Sequence, residues 1–322
     1  MSTDVVIGLS AVVIAIKDGE AGALTVRPRD HGQVSPVDGL PFGPFDPDGH
    51  RTFEIALRAF VTRQTGFELG FVEQLYTFGD KGREAPLADV GAGAARVISV
   101  GYLALTPVAV ETPAPETAWS PFFDFFPWED WRRGRPEIID AHIAPALAAW
   151  ADRSESRASR ARLLFALEGS PWNEERVLDR YELLYEAGLA PEAARDRTRA
   201  SGGEPAEPAA IGLGAPMISD HRRILATGLG RLRGKLKYRP VIFELMPEAF
   251  TLSALQRAVE AISGVALHKQ NFRRVVERTG LVEGLGRMDV ETGGRPAELF
   301  RFRRELLAAR AVSGLSLPLL RD

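Results

Sequence analysis

The apolar residues in the first third of the 322-residue chain follow the short period of β-strands. Four stretches are rich in Val, Ile, Phe and Tyr and are bounded by Gly, Pro or charged residues, which is typical of strands. They cover residues 4–16 (DVVIGLSAVVIAI), 23–29 (ALTVRPR), 70–80 (GFVEQLYTFGD) and 95–105 (ARVISVGYLAL). A Gly-containing turn, KDGEAG, joins the first two stretches, so the sequence predicts adjacent strands at the start of the chain.

Residues 52–64 change to the period of an α-helix. Five apolar residues recur at helical spacing and form one stripe: Phe53, Ala56, Leu57, Phe60 and Val61. Gly66 follows directly, at the place where glycine commonly ends a helix. The sequence therefore predicts a helix that buries one face.

Helical patterns fill the middle of the chain. Residues 135–188 contain three stretches with apolar stripes and polar backs, and residues 201–216 (SGGEPAEPAAIGLGAP) have the composition of a linker. An aromatic cluster at residues 118–131 precedes them. We interpret this cluster as core where the helical insertion docks on the strands, with a ligand platform as the alternative.

One insertion helix carries four acidic residues near one another. They are Glu174, Glu175, Asp179 and Glu182. No histidine joins them, so the pattern indicates an acidic helix surface rather than a metal site.

A long helix begins near Ser219, which is a good N-cap residue. Its six cations lie on more than one face and cannot all reach one partner: Arg222, Arg223, Arg231, Arg233, Lys235 and Lys237. Its apolar residues are Ile224, Leu225, Leu229, Leu232 and Leu236. These apolar residues either line a dimer seam or join two domains.

A helix-turn-helix pattern follows this long helix. Thr251 or Ser253 can cap a first helix, Ser253 with Gln256 forms a capping box, and Gly264 ends the helix. A second helix runs from about Leu267 to Gly280. Its core stripe is Phe272, Val275 and Val276, and its basic residues are free to face outward.

Two short strands after the second helix predict the wing of a winged helix. They flank the segment ETGGRPA, in which Gly293 and Gly294 permit positive φ and Arg295 suits a phosphate or a narrow minor groove. The second helix would enter the major groove, where some side chains read bases and others hold phosphates. The predicted DNA-binding residues are Lys269, Gln270, Asn271, Arg273, Arg274 and Arg295.

Charge is distributed unevenly along the chain and favours DNA over a protein partner for this unit. The whole chain has a net charge of −3. Residues 220–305 have 17 Lys and Arg against 10 Asp and Glu, a net of +7, whereas the rest has 23 against 33. Such a split predicts that one part meets a polyanion. The alternative is a solvated basic face on a winged helix that contacts protein.

Composition narrows the class of protein. The chain has 45% hydrophobic and 26% charged residues and enough length for two domains. It has no cysteine, which excludes disulfides and thiolate metal sites. The apolar N-terminal run is broken by Gly8 and Ser10 and lacks a basic leader, so we expect a strand and no signal peptide. These features predict a cytoplasmic protein with no membrane partner.

Three segments in the first 125 residues carry a family pattern: GLPFGPF, VEQLYTFGDKGRE and RVISVGYLAL. They resemble the Nudix domain of ADP-ribose pyrophosphatases, in which GLPFGPF opens the Nudix box. The C-terminal segments YRPVIFELMPEAFTLSALQRAVEAISGVALHKQNFRRVVERTGLVE and GRPAELFRF resemble the DNA-binding half of the Nudix-related regulators of NAD metabolism called NrtR. With its helical insertion, the chain resembles the larger NadQ-type regulators.

The Nudix-like helix lacks the carboxylates that hold a metal in active members of the resembled family. Counting back from Gly66, the family's Arg falls on Ala59, and its glutamates fall on Phe60, Arg63, Gln64 and, earlier, Arg51. Mg²⁺ prefers oxygen ligands, and Glu54 alone is a poor substitute. The sequence therefore predicts no metal, no required cofactor and no catalytic residue.

The resemblance implies a nucleotide pocket between the box and the sheet. Its implied residues are Arg27, Arg29, Glu73, Gln74 and Arg83. The arginines suit phosphates because a guanidinium can donate two charge-assisted hydrogen bonds, while Glu73 and Gln74 would contact ribose or base. The implied effector is NAD, ADP-ribose or ATP. Alternatively, Arg27 and Arg29 are solvated strand-end residues and Glu73 is the structural partner of an arginine.

These features predict an α+β protein in three parts. They are a Nudix-like α/β/α sandwich (residues 1–128), a helical insertion and linker (129–216), and a linking helix with a winged helix-turn-helix (217–322). The resemblance implies a homodimeric repressor of NAD biosynthesis genes that binds a palindromic operator and senses a nucleotide. The alternatives are a Nudix pyrophosphohydrolase acting on ADP-ribose or a related nucleotide, and a winged helix that contacts protein.

Overall fold

The computed structural model describes residues 5–27, 29–30, 33–34, 37–83, 96–107, 116–201, 212–289 and 296–306. Its N-terminal part is a six-stranded sheet with the strand order β6-β7-β1-β2-β8 and with β5 paired to β1. The strands are β1 (Val5–Lys17), β2 (Glu20–Val26), β5 (Phe42–Pro44), β6 (Phe71–Phe78), β7 (Arg96–Leu105) and β8 (Thr117–Pro121). β1 and β7 run parallel, and the other neighbours are antiparallel. Two short strands, β3 (Arg29–Asp30) and β4 (Gln33–Val34), pair with each other.

Helices cover both faces of this sheet. Because side chains alternate along a strand, Leu9 and Val13 of β1 lie in one apolar cluster with α1 (Phe53–Thr65). Val12 points the other way and lies in a larger cluster with α7 (His221–Tyr238). The predicted α+β class with an α/β/α sandwich is confirmed.

Helix α1 begins and ends where the sequence predicts. The Thr52 hydroxyl accepts a hydrogen bond from the Ile55 backbone N–H at 3.2 Å, and Gly66 ends the helix at φ 70°. Most of the predicted stripe is buried, including Phe60, whereas Phe53 is half-buried. This helix is the scaffold on which a Nudix catalytic set would stand.

The insertion is a group of helices packed against α7. Its segments are a π-helical turn (Ile139–Ile143), α3 (Ala144–Ala151), α4 (Glu155–Phe165), α5 (Val177–Glu186) and α6 (Pro191–Ser201). The sequence predicts helix only to residue 188, so α6 is an addition. The buried Glu192 of α6 accepts a hydrogen bond from the Met217 backbone N–H at 3.0 Å and faces Arg222 at 3.3 Å. These partners lie 25 and 30 residues away, beyond the reach of a local pattern.

The aromatic segment at the junction of the sheet and the insertion is core, as predicted. After β8 it forms α2 (Phe122–Phe125) and a 3₁₀ turn (Pro127–Glu129). Phe122, Phe126 and Trp128 are each no more than 1% exposed and belong to the large cluster that also holds insertion side chains. The segment therefore fastens the insertion to the sheet.

Helix α7 packs against the sheet, the insertion and the winged helix. Its five predicted apolar residues are all buried within one chain, so they join domains and do not line a dimer seam. The predicted cap is wrong, because the helix begins at His221 after Asp220, and the Ser219 hydroxyl donates to the Arg83 carbonyl instead. Gly228 lets α7 lie close to the sheet, since a Cβ there would meet Val12 at 2.9 Å. Within the described residues, no helix is long and apolar enough to cross a membrane.

The C-terminal unit has the predicted winged helix-turn-helix topology. Its elements are β9 (Phe250–Thr251), α8 (Leu252–Ser263), α9 (Lys269–Thr279), β10 (Val282–Asp289) and β11 (Ala297–Phe302), with the sheet order β10-β11-β9. The predicted capping box is wrong, because the Thr251 hydroxyl caps α8 by accepting from the Ala254 N–H at 3.1 Å. A 3₁₀ helix (Val241–Leu245) completes the unit, with the Phe243 ring stacked on Phe302 at 4.1 Å.

A buried ion network connects all these parts. Glu129 lies between Arg180 of α5 and Arg233 of α7, and all three side chains are fully buried. Arg180 Nε and Arg233 Nη1 each lie 2.5 Å from a Glu129 oxygen. Arg233 Nε also donates to the Ile262 carbonyl at the end of α8, at 2.8 Å. One carboxylate thus links the sheet, the insertion, the linking helix and the winged helix.

Candidate nucleic-acid interface and ligand site

Helix α9 presents the predicted DNA-binding residues to solvent. Phe272, Val275 and Val276 are buried beneath it. Five predicted residues are exposed on this helix: Lys269, Gln270, Asn271, Arg273 and Arg274. Arg274 donates to the Asn271 side chain at 3.2 Å. The structure therefore brings five of the six predicted residues to one helix, whereas Arg295 lies outside the described residues.

The turn between α8 and α9 is held by side chains that the sequence reading missed. Glu260 accepts from the Leu267 backbone N–H at 2.8 Å and from Gln256 Nε2 at 2.9 Å. Gln256 Nε2 also donates to the Leu267 carbonyl at 2.9 Å. The spacing of Gln256 and Glu260, one helical turn apart, is the sequence signal for this clamp. It fixes the direction in which α9 leaves the turn.

The wing adds exposed cations to the same unit. Arg287 lies exposed on β10, shortly before residues 290–295, which are outside the described residues. On β11, Arg301 is paired with Glu283. Arg287 is therefore a further candidate for a phosphate contact, and it was not singled out from the sequence.

In α1, the residues at the carboxylate positions of the Nudix box have structural roles. Phe60 is 3% exposed and lies in the apolar cluster under the helix. Gln64 is bonded to both backbone groups of Phe42, donating to its oxygen at 2.6 Å and accepting from its nitrogen at 3.2 Å. Gln64 thus holds the GLPFGPF segment against the helix. Among the described residues, no three His, Cys, Asp or Glu side chains are grouped as metal ligands.

Glu54, the remaining carboxylate of the box, already has a partner. Arg58 donates to it at 3.0 and 2.9 Å and also to the Gly70 carbonyl at 3.0 Å. Burial, and to a lesser extent the charge of Glu54, raises the pKa of Tyr102 beneath the helix. The Glu54 carboxylate therefore works within a local ion pair.

Two of the predicted ligand residues are engaged by helices on the other side of the sheet. Glu73 lies 2.5 Å from Lys235 Nζ and 3.6 Å from an Arg231 nitrogen, so it is the partner of α7 cations. Arg83 donates to both oxygens of Glu182 at 2.9 and 3.2 Å and lies 3.5 Å above the Tyr185 ring. In this arrangement both side chains position α5 and α7.

The other predicted ligand residues lie apart from these two. Arg27 donates to Asp38 at 2.8 Å and is half exposed, and Gln74 is exposed on β6. The side chain of Arg29 is outside the described residues. Two strands separate β6 from β2, which places Glu73 and Gln74 about 14 Å from β2, the strand that Arg27 directly follows. The four of these residues whose side chains are described do not converge on one pocket, and the roles of all five in ligand binding stay predictions.

The acidic residues of the insertion do not form a free surface. Glu174 and Glu175 lie 2.7 and 2.5 Å from Lys237, and Glu182 contacts Arg223 as well as Arg83. The prediction of an acidic helix surface is therefore wrong for these three carboxylates, because α7 supplies their counter-charges.

The start of α7 has two titratable groups with shifted pKa values. Burial raises the pKa of Asp220 to about 6, although Arg223 and Arg83 lower it. Burial lowers the pKa of His221 to about 3. The neutral His221 accepts from the Leu40 backbone N–H at 2.9 Å, and its ring packs on Phe42. α7 is thereby attached to the segment that enters the box.

Comparison with known proteins identifies the C-terminal unit. Residues 242–302 match the NrtR DNA-binding winged helix domain. A segment of 83 residues is 40% identical to the ADPR responsive transcriptional repressor NtrR of Acinetobacter baylyi. This match covers 26% of the chain and 33% of that relative, so it spans about a third of the curated protein.

Two solved structures share the fold of nearly the whole chain. NrtR of Shewanella oneidensis, solved in complex with a 27mer DNA, has 19% identity and a TM-score of 0.53 over 92% of this chain and 93% of that one. A MutT/nudix family protein from Enterococcus faecalis has 13% identity and a TM-score of 0.53 over 94% and 88%. At identities this low, the structural similarity establishes a common fold and nothing more. The arrangement of a Nudix-like sheet with an NrtR-type winged helix is therefore shown for this chain.

Proposed function

We propose that this protein is a DNA-binding transcription repressor whose Nudix-like domain senses ADP-ribose. The observation that carries the proposal is the NrtR-type winged helix at residues 242–302, with five exposed polar and basic side chains on α9. A recognition helix of this kind reads base edges with its first turns and holds phosphates with its cations. The curated relative with a similar segment is a transcriptional repressor by name.

ADP-ribose is our first choice of effector because that relative is described as ADPR responsive. NAD and ATP share the adenosine diphosphate group and remain to be compared with it. Arg27, Arg29, Glu73, Gln74 and Arg83 are the proposed contacts. Glu73 contacts α7, and Arg83 contacts α5. A nucleotide that binds Glu73 or Arg83 in place of these contacts would disturb the helices. That change would reach the winged helix through α7.

We infer that the protein is a regulator and not an enzyme. Phe60 and Gln64 stand where the family's glutamates would bind Mg²⁺, and Glu54 is paired with Arg58. The measurement is release of AMP from ADP-ribose with Mg²⁺ or Mn²⁺. Turnover at ordinary enzyme rates that falls in Glu54→Gln would establish the pyrophosphohydrolase alternative.

The proposed assembly is a cytoplasmic homodimer on a palindromic operator upstream of NAD biosynthesis genes. Two-fold symmetry of the protein would match half-sites one helical turn apart, about 34–36 Å. We place the boundaries of the three parts near residues 128 and 216. Light scattering of the free protein and of its operator complex tests the dimer.

The decisive experiment is a fluorescence anisotropy titration with DNA from upstream of the protein's own gene and of neighbouring NAD biosynthesis genes. We expect saturable binding that ADP-ribose weakens or strengthens at least several-fold, and loss of most affinity in Arg273→Ala. Arg153→Ala, an exposed arginine of the insertion, is the matched control. Binding that is equal for all DNA and unaffected by Arg273→Ala would favour a winged helix that contacts protein.

A further inference from the structure

A tight turn of the insertion lies directly against the turn of the helix-turn-helix. The Trp131 backbone N–H donates to the Gly264 carbonyl at 2.6 Å, and Trp131 pairs with Val265 as a parallel β-bridge. The Gly134 N–H donates back to the Trp131 carbonyl at 3.0 Å and closes a four-residue turn. Arg132 and Arg133 are the two central residues of this turn. Gly264 permits the contact, since a Cβ there would lie 2.3 Å from the backbone carbonyl oxygen of Glu129.

The turn is held firmly in this position. The Trp131 ring lies 4.5 Å from the Trp172 ring, and its Nε1 donates to the Trp128 carbonyl at 3.1 Å. Gly134 adopts φ 96°, a conformation that favours glycine. Arg132 donates to Asp130 at 2.8 Å and to Glu20 at 2.9 Å, which ties the turn to the β1–β2 hairpin. Its guanidinium is therefore already paired with two carboxylates.

Arg133 differs from its neighbour. Its side chain is exposed, and it has no hydrogen bond or ion pair with any other residue in the described part of the chain. The charge of Arg133 acts on Asp130 through space and lowers the pKa of that carboxyl group. A charged side chain on a rigid turn with no counter-charge in direct contact is available for an outside partner.

The position of this turn indicates which kind of partner Arg133 would bind. Val265, which pairs with Trp131, is four residues before Lys269, the first residue of α9. Lys269 and Gln270 are exposed at the same end of the helix. In a helix-turn-helix the start of the second helix enters the groove, so the turn before it lies close to the phosphate backbone. Helix N-termini also favour phosphate through their unpaired N–H groups and dipole.

We propose that Arg133 binds a DNA phosphate beside the start of α9, so that the helical insertion forms part of the DNA interface. This inference rests on the proposed DNA-binding function. The insertion then has two roles at this place: Trp131 buttresses the turn between α8 and α9, and Arg133 adds one phosphate contact per protomer. Because phosphates are the same in every sequence, this contact adds affinity without adding sequence preference.

The test is a salt series of anisotropy titrations with the full-length protein on its operator and on an unrelated duplex of equal length. Arg133→Ala is expected to weaken binding roughly ten-fold on both DNAs and to reduce the slope of log K against log salt by about 0.9 for each protomer. Arg133→Lys retains the charge and is expected to restore most of the slope. Arg153→Ala removes an exposed charge just after the end of α3 and is expected to bind like the wild type.

The outcomes separate this inference from the function on which it rests. Unchanged affinity and salt slope in Arg133→Ala, with lost affinity in Arg273→Ala, overturns the phosphate contact and leaves the regulator standing. An equal loss in Arg133→Ala and Arg133→Lys also overturns it, because a structural effect then replaces the charge effect. If the wild type binds no DNA above salt-sensitive background, the regulator and the contact both fail.

Discussion

Among single residues, Phe60 and Gln64 of α1 stand at carboxylate positions of the Nudix box and have structural roles there. The loss of carboxylates at Phe60 and Gln64 can be read directly from the box spacing. The hydrogen bonds from Gln64 to Phe42 cannot, because the two residues are 22 positions apart. The same holds for Glu73, whose two alternatives were a nucleotide and an arginine. Its nearest partner is Lys235, which only the fold brings within 2.5 Å.

His221 is a single residue whose protonation state should control stability at acid pH. Its pKa is lowered from 6.5 to about 3 in the folded chain, so its contribution is fully present above pH 6.5 and is lost as the pH falls toward 3. The loss of unfolding free energy between pH 6.5 and 4.5 is on the order of 2 kcal/mol. His221→Asn keeps an acceptor near the Leu40 N–H but does not titrate. As the pH falls through this window, we expect the unfolding free energy of His221→Asn to decrease less than that of the wild type.

The measurement for His221 is urea unfolding at pH 7 and pH 4.5 for the wild type and His221→Asn. Asp220 acts in the opposite direction, since its raised pKa stabilises the fold as the pH falls below about 6. It is present in both proteins and therefore cancels in the comparison. His142→Asn, at an exposed position of the insertion, is the control. Equal losses of unfolding free energy in the wild type and His221→Asn would show that the buried histidine does not titrate as expected.

At the scale of elements, local pattern was sufficient where a helix or strand carries its own signals. Helices α1, α8 and α9 end at Gly66, Gly264 and Gly280, as the sequence predicts. The helix starts are harder to predict, because Ser219 and Ser253 are both residue types that cap helices and neither caps one here. Helix α6 has no strong apolar stripe, and its buried Glu192 contacts partners from α7 and the segment before it.

The turn between α8 and α9 is an element whose geometry should matter more for DNA binding than for global stability. Glu260→Ala removes the acceptor of the Leu267 N–H and of Gln256 Nε2. The lost hydrogen bonds should cost about 1–2 kcal/mol of unfolding free energy. The direction of α9 would also loosen, so we expect the dissociation constant for the operator to rise roughly ten-fold, as α9 must be ordered again on binding.

The check on Glu260 combines urea unfolding with anisotropy titration, using Glu248→Ala as the matched control. Glu248 is exposed in the same unit and has the same charge, so its removal corrects for the change in net charge near DNA. Glu260→Gln, which keeps one acceptor oxygen, should lie between the wild type and Glu260→Ala. Tighter DNA binding in Glu260→Ala than in Glu248→Ala would contradict a positioning role for the clamp.

At the scale of the whole molecule, the sequence predicts the parts and the resemblance predicts their order, but neither predicts how they are joined. Arg222 and Arg233 look like surface cations of a basic helix, yet both are fully buried. The charge of +7 counted for residues 220–305 therefore overstates what DNA would meet. The burial of Arg222 and Arg233 can be explained only when the fold places Glu192 and Glu129 beside them.

The network around Glu129 leads to the last prediction. Glu129→Gln leaves the guanidinium groups of Arg180 and Arg233 buried without a charged acceptor, which should cost about 3–5 kcal/mol. Arg233 also holds the Ile262 carbonyl of α8, so the winged helix should lose its attachment to the rest of the chain. In calorimetry we expect one cooperative transition for the wild type and an earlier, split transition for the variant. Glu137→Gln, exposed in the same insertion, should melt like the wild type, and a single unshifted transition in Glu129→Gln would show that the apolar contacts of α7 alone couple the domains.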